Sequence, residues 1–307
     1  MQISTNLMFD RATSRMMDVQ QRLTTTQAQM ATGKEIIQPS DAPQKASAIQ
    51  RLQDEITRQE SHLATLSMAT RRFDTEETAM SSASDVLIRM KELALSAANA
   101  TKNGQAHDAI AAEMTSLRDE LISLANTRDD SGNYIFSGTR VSTQAYAKQV
   151  DGSVVFQGDQ TQTFVPAGVE RDVIYTRSGT DVFKRVVRDD GNGGQTAVTF
   201  FTAVQDMVDS AMSNDVSQIQ RSVTEVDSMI QGVALALSAV GSDTAVINSQ
   251  TNVLETNILR LKTSLSSIED LDYTQAVTQM SKDTMALQAA QSSFAKISQL
   301  SLFDYIK

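Results

Sequence analysis

The chain has 307 residues, a net charge of −10 and no cysteine, and only 5 % of its residues are aromatic. The acidic balance argues against nucleic acid, because binding phosphates needs a basic face, and the lack of cysteine excludes disulfides and cysteine nucleophiles. No uninterrupted apolar run approaches the roughly 20 residues that span a membrane, and the N-terminal residues lack the features of a cleavable signal peptide. We therefore expect neither nucleic acid nor a membrane among its partners.

The N-terminal segment carries a seven-residue repeat of apolar side chains. Its two series are Phe9, Met16, Leu23 and Met30, and, three residues further on, Ala12, Val19 and Thr26. A stripe of two positions per heptad is typical of a coiled-coil seam and is narrower than the apolar face of a helix in a globular core. The repeat stops at Gly33, and the segment that follows contains two of the three prolines.

A long second helix is predicted after this proline-containing segment. Asp41 is placed as its N-cap, with Pro43 in the first turn and Gln44 at the capping-box position, so the helix should start near Ala42. Two heptad series, Ile49, Ile56 and Leu63 and then Phe73, Met80, Leu87 and Ala94, extend it to about residue 100. Similar periodicity predicts a third helix from about 106 to 128.

The middle of the chain has a different composition. Between residues 132 and 201 lie nine of the fifteen aromatic residues and nine of the thirteen glycines. Short stretches of alternating apolar residues are separated there by turn residues such as Asp151-Gly152, which predicts antiparallel strands joined by hairpin turns.

Helical periodicity returns near Phe200 and continues almost to the C-terminus, with an interruption predicted at Gly241-Ser242. The last helix carries a second seam, formed by Tyr273, Met280, Leu287 and Phe294 and by Ala276, Ala290 and Ile297. The predicted fold is mainly α with an inserted β domain: a discontinuous bundle of long helices from both chain halves, with coiled-coil ends and a small antiparallel β domain in the middle. The predicted domains are terminal assembly segments 1–40 and 270–307, a helical bundle 41–131 and 200–269, and a β domain 132–199.

A search of the sequence for an active site finds none. The two histidines, His62 and His107, have no neighbouring carboxylate or second histidine at metal-ligand spacing. No P-loop, dinucleotide-binding turn or nucleophile elbow is present. We expect a protein that is not an enzyme and uses no cofactor or metal.

The two terminal seams are the most informative feature of the sequence. A lone helix with such a thin apolar stripe is marginal in water, so each seam needs a partner helix. That partner could be the opposite terminus of the same chain, the termini of neighbouring copies, or both. An ordinary intramolecular bundle with both ends docked is the alternative to an assembly interface.

Both ends of the chain also match motifs of a known family. The N-terminal ISTNLMFDRATSRMMDVQQRL leads into a G-K-x-I-x-x-P-S-D-x-P turn, and the C-terminal segment has an E-D-x-D entry and an S-L-F-D-Y close. The middle contains SGNYIFSGT followed by VVFQGD. On these residues the chain resembles the flagellin superfamily, and within it the hook-filament junction proteins of the hook-associated protein 3 type. The resemblance covers the whole chain and is weakest from about 140 to 200.

The resemblance implies a structural protein of the bacterial flagellum that joins the hook to the filament. Proteins of this type are exported unfolded through the flagellar type III apparatus, without a cleavable signal peptide, and a cytoplasmic chaperone holds the C-terminal helix beforehand. Outside the cell they assemble as a ring whose inner coiled-coil layer is built from the terminal segments, with the β domain facing outward. The implied partners are the other hook-filament junction protein, flagellin, copies of the same chain and the export chaperone.

We expect the seam residues to carry this assembly, poorly ordered in the free subunit and buried against neighbours afterwards. The predicted interface residues are Phe9, Met16, Val19, Leu23 and Met30 at one end and Met280, Leu287, Phe294, Ile297, Leu302 and Phe303 at the other. Two alternative functions are a filament-forming flagellin and, less favoured, a coiled-coil signalling hairpin. The sequences KEIIQPSDAP and LFDYIK disfavour the first, and the glycine-rich middle disfavours the second.

Overall fold

The computed structural model of the protein describes residues 2–98, 104–168, 171–189 and 194–305, with the side chains of residues 2–6, 8, 189 and 297–305 outside that description. Its helices are α1 (Gln2–Thr32), α2 (Pro43–Ala97), α3 (Gly104–Leu124), α4 (Gly179–Val182), α5 (Phe200–Ser213), α6 (Val216–Glu269) and α7 (Tyr273–Tyr305). Its strands are β1 (Tyr146–Lys148), β2 (Val154–Phe156), β3 (Phe164–Pro166), β4 (Asp172–Ile174), β5 (Val186–Asp189) and β6 (Gln195–Val198). Long helices on either side of short antiparallel strands confirm the predicted fold class.

These elements divide between two compact units. The terminal unit comprises Met1–Glu60 and Glu255–Lys307, and the central unit comprises Ser61–Leu254. The long helices α2 and α6 contribute residues to both units. The terminal unit therefore includes the first part of α2 and the last part of α6 in addition to the two terminal helices.

In the terminal unit, α1 and α7 pair as antiparallel helices. Phe9 meets Phe294 edge to face, with ring centroids 5.4 Å apart and an interplanar angle of 87°. At the other end of the pair the Tyr273 hydroxyl donates a hydrogen bond to the Met30 carbonyl oxygen over 3.1 Å. Residue numbers rise along α1 as they fall along α7, so the two helices are antiparallel. Both contacts join a seam residue of α1 to a seam residue of α7, so the two terminal seams face each other in one coiled coil.

A short backbone connection, here called the clamp, closes the base of this helix pair. It consists of Gly33, Lys34, Glu35, Glu269, Asp270, Leu271 and Asp272. The Glu35 amide donates to the Glu269 carbonyl oxygen at 2.8 Å, and the Leu271 amide donates to the Gly33 carbonyl oxygen at 3.0 Å. The side chains of Lys34 and Glu269 form an ion pair across the same connection. The clamp ties the chain just after α1 to the chain just before α7.

The clamp also explains where the two terminal helices end and begin. The Gly33 amide donates to the Gln29 carbonyl oxygen at 2.8 Å, and Gly33 has a φ of +72°, a left-handed conformation that glycine adopts without steric cost. The Asp272 carboxylate accepts a hydrogen bond from the Thr274 amide at 2.9 Å and so caps the start of α7. The glycine and the acidic run of the two terminal motifs thus have defined backbone roles.

The central unit encloses a continuous hydrophobic core. Its largest fully buried side chains are Leu66, Phe73, Met80, Leu87 and Met90 of α2, Met114 and Leu121 of α3, Ile135 and Phe136 of the following loop, Met207 of α5, and Ile219 and Ile247 of α6. Six aromatic rings, those of Phe136, Tyr146, Phe156, Phe183, Phe200 and Phe201, extend the core through mostly edge-to-face contacts. The second heptad series predicted for this helix, Phe73, Met80, Leu87 and Ala94, therefore marks core positions of a globular unit.

The predicted β region consists of three separate two-stranded antiparallel hairpins: β1 with β2, β3 with β4, and β5 with β6. A two-stranded hairpin is not stable alone in water and needs packing against other elements. Each hairpin packs one face against the hydrophobic core of the central unit, through Tyr146 of β1, Val165 of β3 and Val186 of β5. The strands are therefore part of the central unit's core, not a core of their own.

The turn between β1 and β2 contains the predicted Asp151-Gly152 pair. The Gly152 amide donates to the Gln149 carbonyl oxygen at 3.0 Å, and Gly152 has a φ of +83°. The Gln149 amide also donates to the Ser153 carbonyl oxygen, so three residues form the loop. A turn followed by a left-handed glycine is the common form of this longer hairpin loop.

Helix α6 is continuous, so the interruption predicted at Gly241-Ser242 is wrong. A glycine inside a helix costs about 1 kcal/mol, which the burial of Val240 and Ile247 in the core offsets.

By length and composition, an 18-residue stretch of α6 with a mean hydropathy of 1.5 would pass as a membrane span. In the structure Val226, Val233 and Val240 of this helix lie in the hydrophobic core of the central unit.

The predicted N-cap of α2 is also wrong. Asp41 accepts a hydrogen bond from the Gln38 amide at 3.1 Å, which closes a turn before the helix, and α2 starts at Pro43. Local hydrogen bonding of aspartate to a nearby amide competes with capping. The length of the helix was nonetheless predicted to within three residues at each end, because its core-facing heptads extend from end to end.

Candidate assembly interface

The structure places the predicted interface residues on the α1 and α7 pair. Phe9, Met16, Val19, Leu23 and Met30 lie along α1 and Met280, Leu287 and Phe294 lie along α7, all of them half-buried. The remaining three, Ile297, Leu302 and Phe303, have backbone in α7 and side chains outside the described residues. Of the partners considered for the seams, the structure therefore contains the opposite terminus of the same chain.

Half burial follows from the geometry of a two-helix pair. Most of the large apolar seam side chains are covered by the facing helix and remain open to water beside it, whereas Thr26 and Ala276 are buried, so two helices alone enclose only part of their seam. Elsewhere in the terminal unit Ile56 of α2 and Ile258 of α6 are both only 7 % exposed. Covering the remaining apolar surface of the α1 and α7 pair would contribute about 25 cal/mol per Å² to any assembly that did so.

A buried carboxylate interrupts the seam of α7. Asp283 occupies the position between Ala276 and Ala290 where the heptad calls for an apolar residue, and its side chain is 5 % exposed. The Arg22 guanidinium lies 3.5 Å from one carboxylate oxygen, and the Gln279 side-chain amide donates to the other at 2.9 Å. A buried charge whose partner lies on the facing helix favours a particular register of the pair. The sequence signal for this contact is a charged residue at position 283 of an otherwise apolar series.

The outer surface of the pair carries large apolar side chains that the seam positions do not include. Met17 on α1 is 66 % exposed, and on α7 Met285 is 62 % and Val277 is 44 % exposed. The sequence has no charged residue from Thr284 to Ala295. Outward positions of a solvated coiled coil are usually charged, so this uncharged stretch of α7 with the exposed Met285 is suited to contact with another chain. The sequence signal for this part of the surface is its lack of charge.

The structure gives the two histidines packing roles. His62 donates through Nε2 to the Pro166 carbonyl oxygen at 2.7 Å, and His107 is buried on α3. Among residues 2–98, 104–168, 171–189 and 194–305, no group of three or more His, Asp or Glu side chains could hold a metal ion.

The long helices packed around short hairpins, with the two chain ends paired, define a mainly α protein built from both halves of the chain. Comparison with known families identifies the family to which this fold belongs. The bacterial flagellin N-terminal helical region matches residues 3–141, and the bacterial flagellin C-terminal helical region matches residues 223–306. Together the two matches cover more than half of the chain, and the chain belongs to the flagellin family.

The chain is similar to curated proteins of two kinds. It is 23 % identical to flagellar hook-associated protein 3 of Salmonella typhimurium over 99 % of both chains, and 25 % identical to the protein of the same name from Escherichia coli over 91 % of both. It is also 22 % identical to a flagellin of Listeria monocytogenes over 97 % of this chain and 96 % of that one. The chain thus matches these relatives over almost their full length.

Solved structures share the fold. The crystal structure of Xanthomonas campestris FlgL superposes with a TM-score of 0.63 at 22 % identity, covering 71 % of this chain and 99 % of that one. A putative flagellar hook-associated protein from Vibrio parahaemolyticus gives a TM-score of 0.64 at 21 % identity, covering 75 % and 100 %.

Proposed function

We propose that this chain is a structural protein of the hook-filament junction and that it assembles there as a ring through α1 and α7. The observation that carries the proposal is the incomplete terminal coiled coil. Its seam is half-buried by the intramolecular pairing, and its outer surface exposes Met17 and Met285 beside an uncharged stretch of α7. Membership of the flagellin family and the similarity to hook-associated proteins 3 support the location.

The lateral contacts of such a ring are heterologous. One patch on the α1 and α7 pair meets a different patch on the next copy, so the contact continues around the ring or along the lattice instead of closing a two-fold dimer. Both the half-buried seam and the outer methionines become buried, which stabilises the ring in proportion to the apolar area covered. The interface then includes the predicted seam residues together with Met17, Val277 and Met285.

The remaining partners follow from the same location. The chain meets the other hook-filament junction protein on one side of the ring and flagellin on the other. Before assembly it leaves the cell through the flagellar type III apparatus without a cleavable signal peptide, with a cytoplasmic chaperone bound to its C-terminal helix. The apolar, uncharged face of α7 supports this last step, because an exposed apolar helix face needs cover before export.

The experiment uses a double substitution, Met17→Lys with Met285→Lys, introduced into cells whose own copy of this chain is deleted. Each lysine places a charge on an exposed position, so the free chain should fold with an unchanged thermal midpoint. We expect cells with hooks but without filaments, and flagellin released into the medium. The matched control is Met212→Lys, a residue that is 60 % exposed on α5 of the central unit and that should leave filaments intact.

Two readouts make this experiment decisive. Recovery of the double variant in the culture medium separates a failure of assembly from a failure of export. Normal filaments with the double variant would contradict the proposal that these outer positions are buried in the assembled ring.

A filament-forming flagellin is the alternative, favoured by the similarity to flagellins over almost the full chain. A flagellin should polymerise alone into long filaments from purified subunits. A junction protein should add to pre-existing hook ends and form no long polymer, which electron microscopy of the purified chain distinguishes.

A further inference from the structure

The central unit contains a buried group of charged side chains that the assembly interface does not use. Glu76 of α2 is completely buried, with the Arg72 guanidinium 3.3 Å from one carboxylate oxygen and the Arg177 guanidinium 3.2 Å from the other. Arg72 also lies 3.3 Å from the Asp129 carboxylate, and Arg177 pairs with Asp243 of α6. These five side chains are called the charge cluster below.

The charge cluster joins α2 to loops that are distant in sequence. Arg72 donates to the carbonyl oxygens of Tyr175 and Ile135, both at 2.9 Å, and its guanidinium stacks on the Tyr175 ring at 5.0 Å from the centroid. Arg177 lies between β4 and the short helix α4, where it reaches both Glu76 and α6. The cluster therefore fastens the loop after α3 and the segment after β4 onto the helices.

The charges of the cluster do not balance when every carboxylate is ionised. Two guanidinium groups, which stay protonated in proteins, face three carboxylates, so the fully ionised cluster carries one excess negative charge. The excess disappears if one carboxylate holds a proton. Asp129 and Asp243 have side chains 12 % and 23 % exposed, whereas Glu76 has no contact with water. Glu76 is therefore the carboxylate for which ionisation is most costly.

The hydrogen bonding of Glu76 agrees with this assignment. One oxygen accepts from Arg177 Nε, while the other, although close to Arg72, receives no hydrogen bond because the Arg72 N–H groups point to carbonyl oxygens and to Asp129. An ionised carboxylate in the interior normally has several donors directed at it. Burial raises the pKa of Glu76 from 4.5 to about 7, even though both arginines act to lower it.

We propose that the charge cluster is a proton-linked latch: it holds one exchangeable proton on Glu76 while the central unit is folded around it, and it loses that proton when the unit unfolds. Folding then takes up a proton from neutral solution, and raising the pH weakens the folded state. The groups that set this balance are Arg72 on the same helix, Arg177 before α4, Asp129 after α3 and Asp243 on α6.

The direction of the pH effect follows from linkage. A carboxyl whose pKa is higher in the folded state than in the unfolded state contributes stability below its unfolded pKa and loses it as the pH rises through the folded value. The window here extends from about 4.5 to about 7. Between pH 5 and pH 7.5 the folding equilibrium constant of the central unit should fall on the order of 50-fold.

The test is urea unfolding of the full-length protein over this pH range, with Glu76→Gln as the variant and Glu77→Gln, its exposed neighbour, as the matched control. We expect the wild type and the control to lose stability as the pH rises, and Glu76→Gln to lose the roughly 50-fold effect because its neutral amide cannot titrate. An unchanged pH dependence in Glu76→Gln would overturn the proposal.

A second measurement keeps the test valid if Glu76→Gln does not fold. Carbon-13 NMR of the glutamate carboxyl groups in the folded wild type follows the titration of each one. One carboxyl, absent from the spectrum of Glu76→Asp, should titrate near neutral pH. If all glutamates titrate at their ordinary acidic values, the cluster holds no proton and the latch is ruled out.

Discussion

The terminal and central units are built from similar long helices, yet they bury their apolar residues to very different degrees. In the central unit Phe73, Met80 and Leu87 of α2 are completely enclosed, whereas Leu23 and Phe294 in the terminal helix pair are half-buried. Both sets repeat every seven residues. The difference shows that a heptad pattern specifies which side chains contact another helix. The number of surrounding helices decides whether those side chains are fully buried.

Buried charge differs between the units in the same way. The charge cluster of the central unit lies in a complete core and gathers five side chains, with Glu76 out of contact with water. In the terminal unit Asp283 has one cation, Arg22, whose side chain is 56 % exposed. Because the Arg22 side chain stays in contact with water, the desolvation cost of this pair falls mainly on the Asp283 carboxylate.

The largest expected difference between the units is in amide hydrogen exchange of the free chain. A helix pair with a half-buried seam opens locally at low cost, whereas amides of a packed core exchange only through global unfolding. We expect α1 and α7 to exchange at least about 100-fold faster than the part of α2 around Phe73. Exchange measured by mass spectrometry on peptides from each helix checks this, and equal protection of all helices would remove the contrast.

Truncating one apolar side chain in each unit should show the difference in burial as a difference in lost stability. Phe73→Ala removes a fully buried ring and should lower the free energy of unfolding of the central unit by about 3–5 kcal/mol. Leu23→Ala removes a half-buried side chain and should cost about 1 kcal/mol or less in the free chain. Urea titration of both variants measures the two values, and a similar loss in each would show that the terminal seam is already a complete core.

The clamp should be sensitive to a single methyl group. At Gly33, with a φ of +72°, alanine would adopt a left-handed conformation, and its Cβ would lie 3.3 Å from the Tyr273 hydroxyl oxygen. We expect Gly33→Ala to cost about 1–2 kcal/mol and to speed exchange in both terminal helices together, because the clamp joins them. Gly232→Ala, within α6 and with open space around the new methyl, is the control that should show no loss.

The sequence predicted the features that depend on local periodicity. The extent of α2, the seams of α1 and α7 and the hairpins of the middle all follow from spacing of apolar residues and from turn residues. It did not predict that Gly241 stays helical, since that depends on core contacts of Val240 and Ile247 on either side. Nor did it predict the charge cluster, because Arg72 and Arg177 are brought together only by the tertiary fold.

For the proposed interface, spacing predicts the inner seam and gives no signal for the outer surface. Seven-residue repeats point to residues that face another helix, and Met17 and Met285 do not belong to those series. Their exposure becomes visible only once the pairing of α1 with α7 is known. Asp283 was missed for the opposite reason, because a search for apolar repeats passes over a polar residue at a seam position.

The most direct test of the account is the accessibility of Met285 before and after assembly. Because the chain has no cysteine, Met285→Cys and, as a control in the central unit, Met212→Cys each introduce a single thiol. Both should react with a water-soluble maleimide in the free chain, where both positions are exposed. In assembled flagella we predict that Met285→Cys becomes protected while Met212→Cys still reacts. Equal labelling of both thiols after assembly would contradict the claim that neighbouring copies complete the terminal coiled coil.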